Sequence, residues 1–171
     1  MNISVYLASS ANGMISNKAN VPNWLSQEYG RGFLAISQRT QAVIMGKTTY
    51  EILAPDHLPL KGEGTLIVLT HDTAAAPAQT NVVFTDDAPQ EVLRILEARG
   101  HREAVIIGGT QTVSEFMTSG LVDELYLVVE PVLFGAGLPL LRGVDDDYKM
   151  TLLDVRKLSP HTVQLHYRLI H

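Results

Sequence analysis

The chain has 171 residues, a formal net charge of −5 and no cysteine. That length suffices for one domain, residues 1–171, with a sizeable core, and a composition of 46% hydrophobic and 18% charged residues is ordinary for a globular protein. The acidic balance, without any basic run, argues against nucleic acid or an anionic membrane as partner.

The lack of cysteine excludes disulfides and thiolate chemistry and leaves a structural zinc site without its usual ligands. The six histidines show no HExxH-like spacing. The opening MNISVYLASSANG has no basic segment and only a short apolar run, unlike a signal peptide. No stretch nears the roughly 20 apolar residues of a membrane span. A cytoplasmic protein is expected.

NISVYLA at 2–8 reads as a buried strand and SSANG at 9–13 as a turn. From Trp24 to Gln38 the pattern is helical: Tyr29, Phe33 and Ile36 share a face, and Ser26 can cap the start. AVIMG at 42–46 is a second strand and KTTYEIL at 47–53 a short helix that Pro55 helps to end. TLIVLT at 65–70 and NVVFT at 81–85 are further strands, with HDTAAAPAQ as the loop between them.

Asp86 or Asp87 is expected to cap a helix running to Arg99, with Pro89 in its first turn and Gly100 after its end. EAVII at 103–107 is a fifth strand. Thr110 is expected to cap the next helix, which Gly120 stops. VDELYLVVEPVLF is a sixth strand, broken at Pro131 and followed by the loop GAGLP; its long apolar edge needs cover. KMTLLDVRKL and HTVQLHYRLI alternate in polarity as a terminal antiparallel pair. The order predicts an α/β fold: a mostly parallel, mixed central sheet flanked by helices, with C-terminal antiparallel strands at one edge.

In an open α/β sheet, ligands bind at the carboxyl ends of strands. Four such ends are polar here: SSANGMIS, GKTTYE, THD and GGTQT. In GGTQT, Gly108 and Gly109 let backbone N–H groups approach a ligand. The helix start that follows adds unpaired donors and about half a positive charge. A pyrophosphate suits it; a plain strand-to-helix turn is the alternative. Neither a Walker A sequence nor GxGxxG is present.

Gly46, Lys47, Thr48 and Thr49 repeat that logic, the alternative being a capped helix with a surface lysine. With Thr70 and His71 on a third strand end, a long anionic ligand such as a dinucleotide is favoured. Lys47 and His71 are the candidate cations for a 2′-phosphate. Glu28, in the first turn of its helix, either complements the helix dipole or binds an amino-pyrimidine-like ring and assists its protonation. Trp24, Tyr50 and Tyr126 are candidate substrate contacts, with core packing as their other role. The Asp145–Asp147 run reads as a solvated loop, and no metal site is expected.

The segments ASSANGMIS, PNWLSQEY, VIMGKTTYE, VIIGGTQTVSEF and LVDELYLVVEPVLFGAGLPLL, in this order, resemble the dihydrofolate reductase-like superfamily. The resemblance is closest to the C-terminal reductase domain of bacterial riboflavin-pathway deaminase-reductases. It implies an NADPH-dependent oxidoreductase acting on a pyrimidine- or pterin-like small molecule, on a mixed sheet of about eight strands, often as a homodimer.

Carried over residue by residue, it places Gly46, Lys47, Thr48 and Thr49 on the adenosine and pyrophosphate side, and Leu69, Thr70 and His71 beside the adenine. Ile107, Gly108, Gly109, Thr110, Gln111 and Thr112 would form the pyrophosphate loop, with a cis Gly-Gly bond. Ala8, Asn12 and Ile15 would line the nicotinamide, and Glu28 would be the active-site carboxylate. Two positions depart from the family pattern: Ile107 stands where riboflavin-type reductases usually carry a glutamate, and Val128 where dihydrofolate reductases place a threonine. The leading reaction is reduction of 5-amino-6-(5-phosphoribosylamino)uracil, as in riboflavin biosynthesis. The alternatives are dihydrofolate reduction and a non-catalytic NADPH-binding protein. For a substrate phosphate, Arg31 or Arg39 is the candidate partner.

Overall fold

The computed structural model describes residues 1–53, 57–60, 64–75, 77 and 81–171. The first half of the chain supplies β1 (Asn2–Ser10), β2 (Met14–Asn17), α1 (Gln27–Thr40), β3 (Ala42–Gly46), α2 (Lys47–Leu53), β4 (Thr65–Leu69) and β5 (Val82–Thr85). The second half supplies α3 (Pro89–Ala98), β6 (Glu103–Ile106), α4 (Thr110–Thr118), β7 (Glu124–Glu130), β8 (Gly137–Pro139), β9 (Met150–Lys157) and β10 (Val163–Leu169).

Eight strands form one sheet in the order β5-β4-β3-β6-β1-β7-β10-β9. The first six of that order run parallel, and β10 and β9 add antiparallel pairs at one edge, as the alternation of strands and helices predicts. The middle stretches of the inner strands β3, β4 and β6 are apolar and buried because helices cover both of their faces. Successive side chains alternate between two cores. Ile3, Val5, Leu7 and Ile44 pack with Val92, Leu96, Val113 and Phe116 of α3 and α4. Tyr6, Val43, Met45 and Val105 pack with Phe33 and Ile36 of α1. The chain leaves β1, builds β3 to β5 outward on one side, then returns to insert β6 beside β1. That reversal brings the glycine-bearing ends of β3 and β6 side by side at the middle of the sheet.

Several expectations are corrected. SSANG is not all turn: β1 runs through Ser9 and Ser10. The first helix begins at Gln27 rather than Trp24, with Ser26 as its N-cap as expected; the Ser26 hydroxyl accepts from the Tyr29 N–H. Neither Asp86 nor Asp87 caps α3. Ala88 holds the cap position without a side-chain bond, because Asp87 is engaged with the Thr85 hydroxyl.

Thr110 does not cap α4 either. Gly109 is the cap residue, and the Thr110 hydroxyl donates to the Pro139 carbonyl at 2.7 Å. GAGLP is not simply a loop: its last three residues form β8 and pair with β2 in a two-stranded ribbon. Finally, β7 has no open edge, since β1 and β10 flank it. The open edge on that side belongs to β9. Pro55 lies outside the described residues. Among them, no helix is long and apolar enough to cross a membrane.

Candidate functional site at the strand ends

A cleft of about 1750 Å³ opens along the carboxyl ends of the parallel strands. This exceeds the ~300–1,000 Å³ of a usual small-ligand pocket and leaves room for an extended molecule beside a second one.

One half of the cleft is built from backbone. The Gly46 N–H donates to the Gly108 carbonyl at 2.9 Å, tying the end of β3 to the end of β6. Gly108–Gly109 is a cis peptide bond, and Gly108 has φ +117°, a conformation that favours glycine. A Cβ on Gly46 would stand 3.0 Å from Thr112 Oγ1, so the strand end needs glycine to pass this close to α4. Because the α4 cap residue carries no side chain, the N–H groups of its first turn have no side-chain acceptor. Gly109, Thr110, Gln111 and Thr112 all line the cleft there. Uncapped donors at a helix start fit an anion such as a pyrophosphate.

Lys47 and His71 stand at the outer end of this half. Lys47 Nζ lies 3.0 Å from Asp72 Oδ2, in a pair open to solvent. Asp86 and Asp87 also line this end, at the carboxyl end of β5.

The other half is walled by α1. Ser26, Gly30, Leu34 and Gln38 form one row at four-residue spacing, and all of them line the cleft with Tyr29, Phe33 and Trp24. Trp24 packs edge-on against Phe134, ring centres 5.1 Å apart.

Of the residues expected to hold the dinucleotide, Ala8, Ile15, Gly46, Lys47, Thr48, Thr49, Leu69, Thr70, His71, Ile107, Gly108, Gly109, Thr110, Gln111 and Thr112 all line this one cleft. Trp24, expected as a substrate contact, lines it too. Four expected residues do not.

Asn12 is turned to the 131–136 loop: its Nδ2 donates to the Phe134 carbonyl at 2.8 Å, and its Oδ1 accepts from the Phe134 N–H. It therefore supports Trp24 through Phe134. Glu28 pairs with Arg31 at 3.0 Å, off the cleft. At about 100° per residue it sits roughly 200° around the helix from both Ser26 and Gly30, on the far face. Tyr50 packs edge-on against Phe84, centres 5.1 Å apart.

Tyr126 stacks on His166 at 3.9 Å and donates to Glu124 at 3.2 Å. It is four residues short of the carboxyl end of β7, roughly 13 Å at 3.3 Å per residue. The two candidate phosphate partners are also elsewhere: Arg31 is held by Glu28, and Arg39 lies 3.6 Å from Glu103.

Sequence reasoning missed Glu130. Among the described residues it is the only charged side chain in the buried set, at 1% exposure. Its Oε1 accepts from both the Ser26 N–H at 3.0 Å and the Ser26 hydroxyl at 2.7 Å. Burial and then the nearby Glu130 charge push the Tyr6 hydroxyl up to about 12. Burial, then Tyr6, then Glu130 push Tyr29 up further. Both phenols stay protonated, and Tyr6 donates to the Tyr29 carbonyl at 3.2 Å. The signal available was parity: Glu124, Tyr126, Val128 and Glu130 alternate onto one face of β7. Gly30 was missed as a cleft residue because a helical glycine reads first as a weakness.

Comparison with known proteins agrees with this architecture. The chain is 29% identical over 169 residues to the uncharacterized protein YwjB of Bacillus subtilis (strain 168), covering 95% of each chain. A putative riboflavin biosynthesis protein from Shewanella sp. PV-4 superposes with a TM-score of 0.83 at 21% identity, covering 100% of both chains. A diaminohydroxyphosphoribosylaminopyrimidine deaminase/5-amino-6-(5-phosphoribosylamino)uracil reductase from Thermotoga maritima superposes at 0.79 with 16% identity. That match takes in 99% of this chain and 56% of the longer one. Residues 2–164 match the family model for the RibD C-terminal domain. With its mixed sheet and glycine-ended strands, the chain belongs to the RibD C-terminal domain family.

Proposed function

We propose that the protein is an NADPH-dependent reductase of a pyrimidine- or pterin-like small molecule. The leading substrate is 5-amino-6-(5-phosphoribosylamino)uracil, in a riboflavin-type reaction. One observation carries the reading: fifteen of the sixteen residues expected to hold the dinucleotide line a single cleft, with the uncapped α4 start at its centre. NADPH would supply the hydride. The chain's own part is to bind and orient. Backbone donors at Gly109–Thr112 would take the pyrophosphate, Thr48 and Thr49 would flank it, and Lys47 with His71 would meet the 2′-phosphate. Ala8, Ile15 and Ile107 would exclude water around the nicotinamide.

The test is loss of nicotinamide absorbance with the aminouracil phosphate and, separately, with dihydrofolate. Turnover of the first supports the leading reading, and turnover of the second alone replaces it. The position of Glu28, off the cleft and paired with Arg31, favours a second reading in which NADPH binds without turnover. NADPH affinity with no turnover on either substrate supports that one.

We also propose a cytoplasmic homodimer. Met150, Leu152, Leu153 and Val155 leave the β9 edge strand apolar and 39–54% exposed, which pairing with a second copy would cover. Sedimentation at micromolar concentration giving only the 18.7 kDa species refutes the dimer.

A further inference from the structure

Two glycines stand in the first half of α1, Gly30 and Gly32, where glycine is a poor helix residue. Gly32 has a packing reason: a Cβ there would run into the Tyr6 hydroxyl. Gly30 has none. Its φ lies outside the left-handed region, and among the described residues no atom beyond its chain neighbours and the backbone of its own helix turns lies within 4 Å of where its Cβ would stand. Its neighbours in the four-residue row, Ser26 and Leu34, line the cleft, as Gly30 does. The missing side chain is therefore a notch in the cleft wall.

Part of the cleft lining, the α1 row included, suits a flat, neutral ligand. Val21, Leu34 and Ile52 line the same cleft and are 40–45% exposed, an apolar set left for a ligand to cover. The α1 row itself, Ser26, Gly30, Leu34 and Gln38, carries no charge.

We propose that Gly30 is the specificity-determining residue of the substrate half, admitting a planar, neutral heteroaromatic ring against the bare α1 backbone. The proposal rests on the reductase reading of the cleft and names what its substrate half accepts. A side chain at position 30 would fill the space the ring needs.

The test measures ring binding to the NADPH-loaded protein by calorimetry, with lumazine and 5,6-diaminouracil as probes, in the wild type, Gly30→Ala and Gly30→Leu. Gly30→Ala is expected to raise Tm by roughly 2–4 °C, since the helix improves and nothing is crowded. It is also expected to bind the rings roughly 5- to 100-fold more weakly, the range for overfilling a packed contact. Gly30→Leu is expected to lose ring binding altogether, with NADPH affinity kept in both variants.

Wild-type ring affinity in Gly30→Leu overturns the inference and leaves the reductase reading standing. A fall in Tm for Gly30→Ala overturns it as well, because Gly30 would then have a packing role. Absence of ring binding in the wild type overturns it too, and the NADPH oxidation assay then decides separately whether the reductase reading also falls.

Discussion

Replacing Ser26 by alanine removes two hydrogen bonds that meet at one oxygen: the cap bond from the Tyr29 N–H at 3.1 Å and the bond to Glu130 Oε1 at 2.7 Å. The cap is worth about 1 kcal/mol. The bond to a buried carboxylate is worth about 2 kcal/mol, because Glu130 cannot recover it from water. The sum is about 3 kcal/mol for Ser26→Ala. In a Glu130→Gln background the same change costs less: about 1 kcal/mol for the cap and about 1 for a neutral hydrogen bond. The difference, about 1 kcal/mol, is the coupling between the two side chains, and it lies within the range for residues sharing a network. Urea unfolding of the wild type, both single variants and the double variant measures it. A coupling below about 0.5 kcal/mol refutes the claim that Ser26 and Glu130 act as one unit at the start of α1.

Gly32→Ala is expected to destabilise by about 1–3 kcal/mol despite its better helix propensity, since the methyl meets the Tyr6 hydroxyl. In a Tyr6→Phe background the same change is expected to cost less, since the oxygen is gone and only the ring Cζ at 3.0 Å remains; an equal drop in urea midpoint in both backgrounds rejects the contact. Asp72→Asn frees Lys47 and is expected to raise NADPH affinity about two- to fivefold relative to NADH, a small effect because the pair is exposed to solvent. Titrations that rise equally for both dinucleotides contradict that role for Lys47.

Burial first, then the charge of Arg99, hold His101 below its ordinary value, with Nε2 2.9 Å from Thr65 Oγ1. The unfolded chain then takes up the proton first, so stability is full above about pH 6.5 and falls as pH drops below it. His101→Asn is expected to flatten that dependence, and an unchanged slope in thermal melts refutes it. Burial raises the Glu124 carboxyl, but hydrogen bonds from His166 and Tyr126 outweigh that and hold it low. Its contribution is present above about pH 4.3 and is lost in more acidic solution, as the pH falls through its lowered folded-state value.

Much of the sheet was legible from residue order. The runs VIM within AVIMG and LIVL within TLIVL are unbroken apolar stretches because both faces of an inner parallel strand are covered, and their shortness favours strand over helix. The β2–β8 ribbon was not legible: Met14–Asn17 and Gly137–Pro139 pair across some 120 residues, and neither carries a local strand signal. Caps failed where a side chain had a better partner, as Asp87 has in Thr85 and Thr110 in Pro139. Glu130 was hidden because its donors, both from Ser26, lie 104 residues away in sequence.

The sequence by itself determined the glycine-ended strands and the helix that follows the Gly108–Gly109 pair. A Cβ on Gly46 would stand 3.0 Å from Thr112 Oγ1, and Gly108 has φ +117°, so these two glycines answer a local backbone demand that the sequence itself displays. Which face of α1 meets the cleft was decided only in the folded protein. Tyr29, Phe33 and Ile36 dock on Tyr6 and its neighbours, and the angle of that docking rotates Gly30 into the cleft and Glu28 out of it. A helix carries its own periodicity, but the phase of that periodicity relative to a cleft is a property of packing between elements distant in the chain.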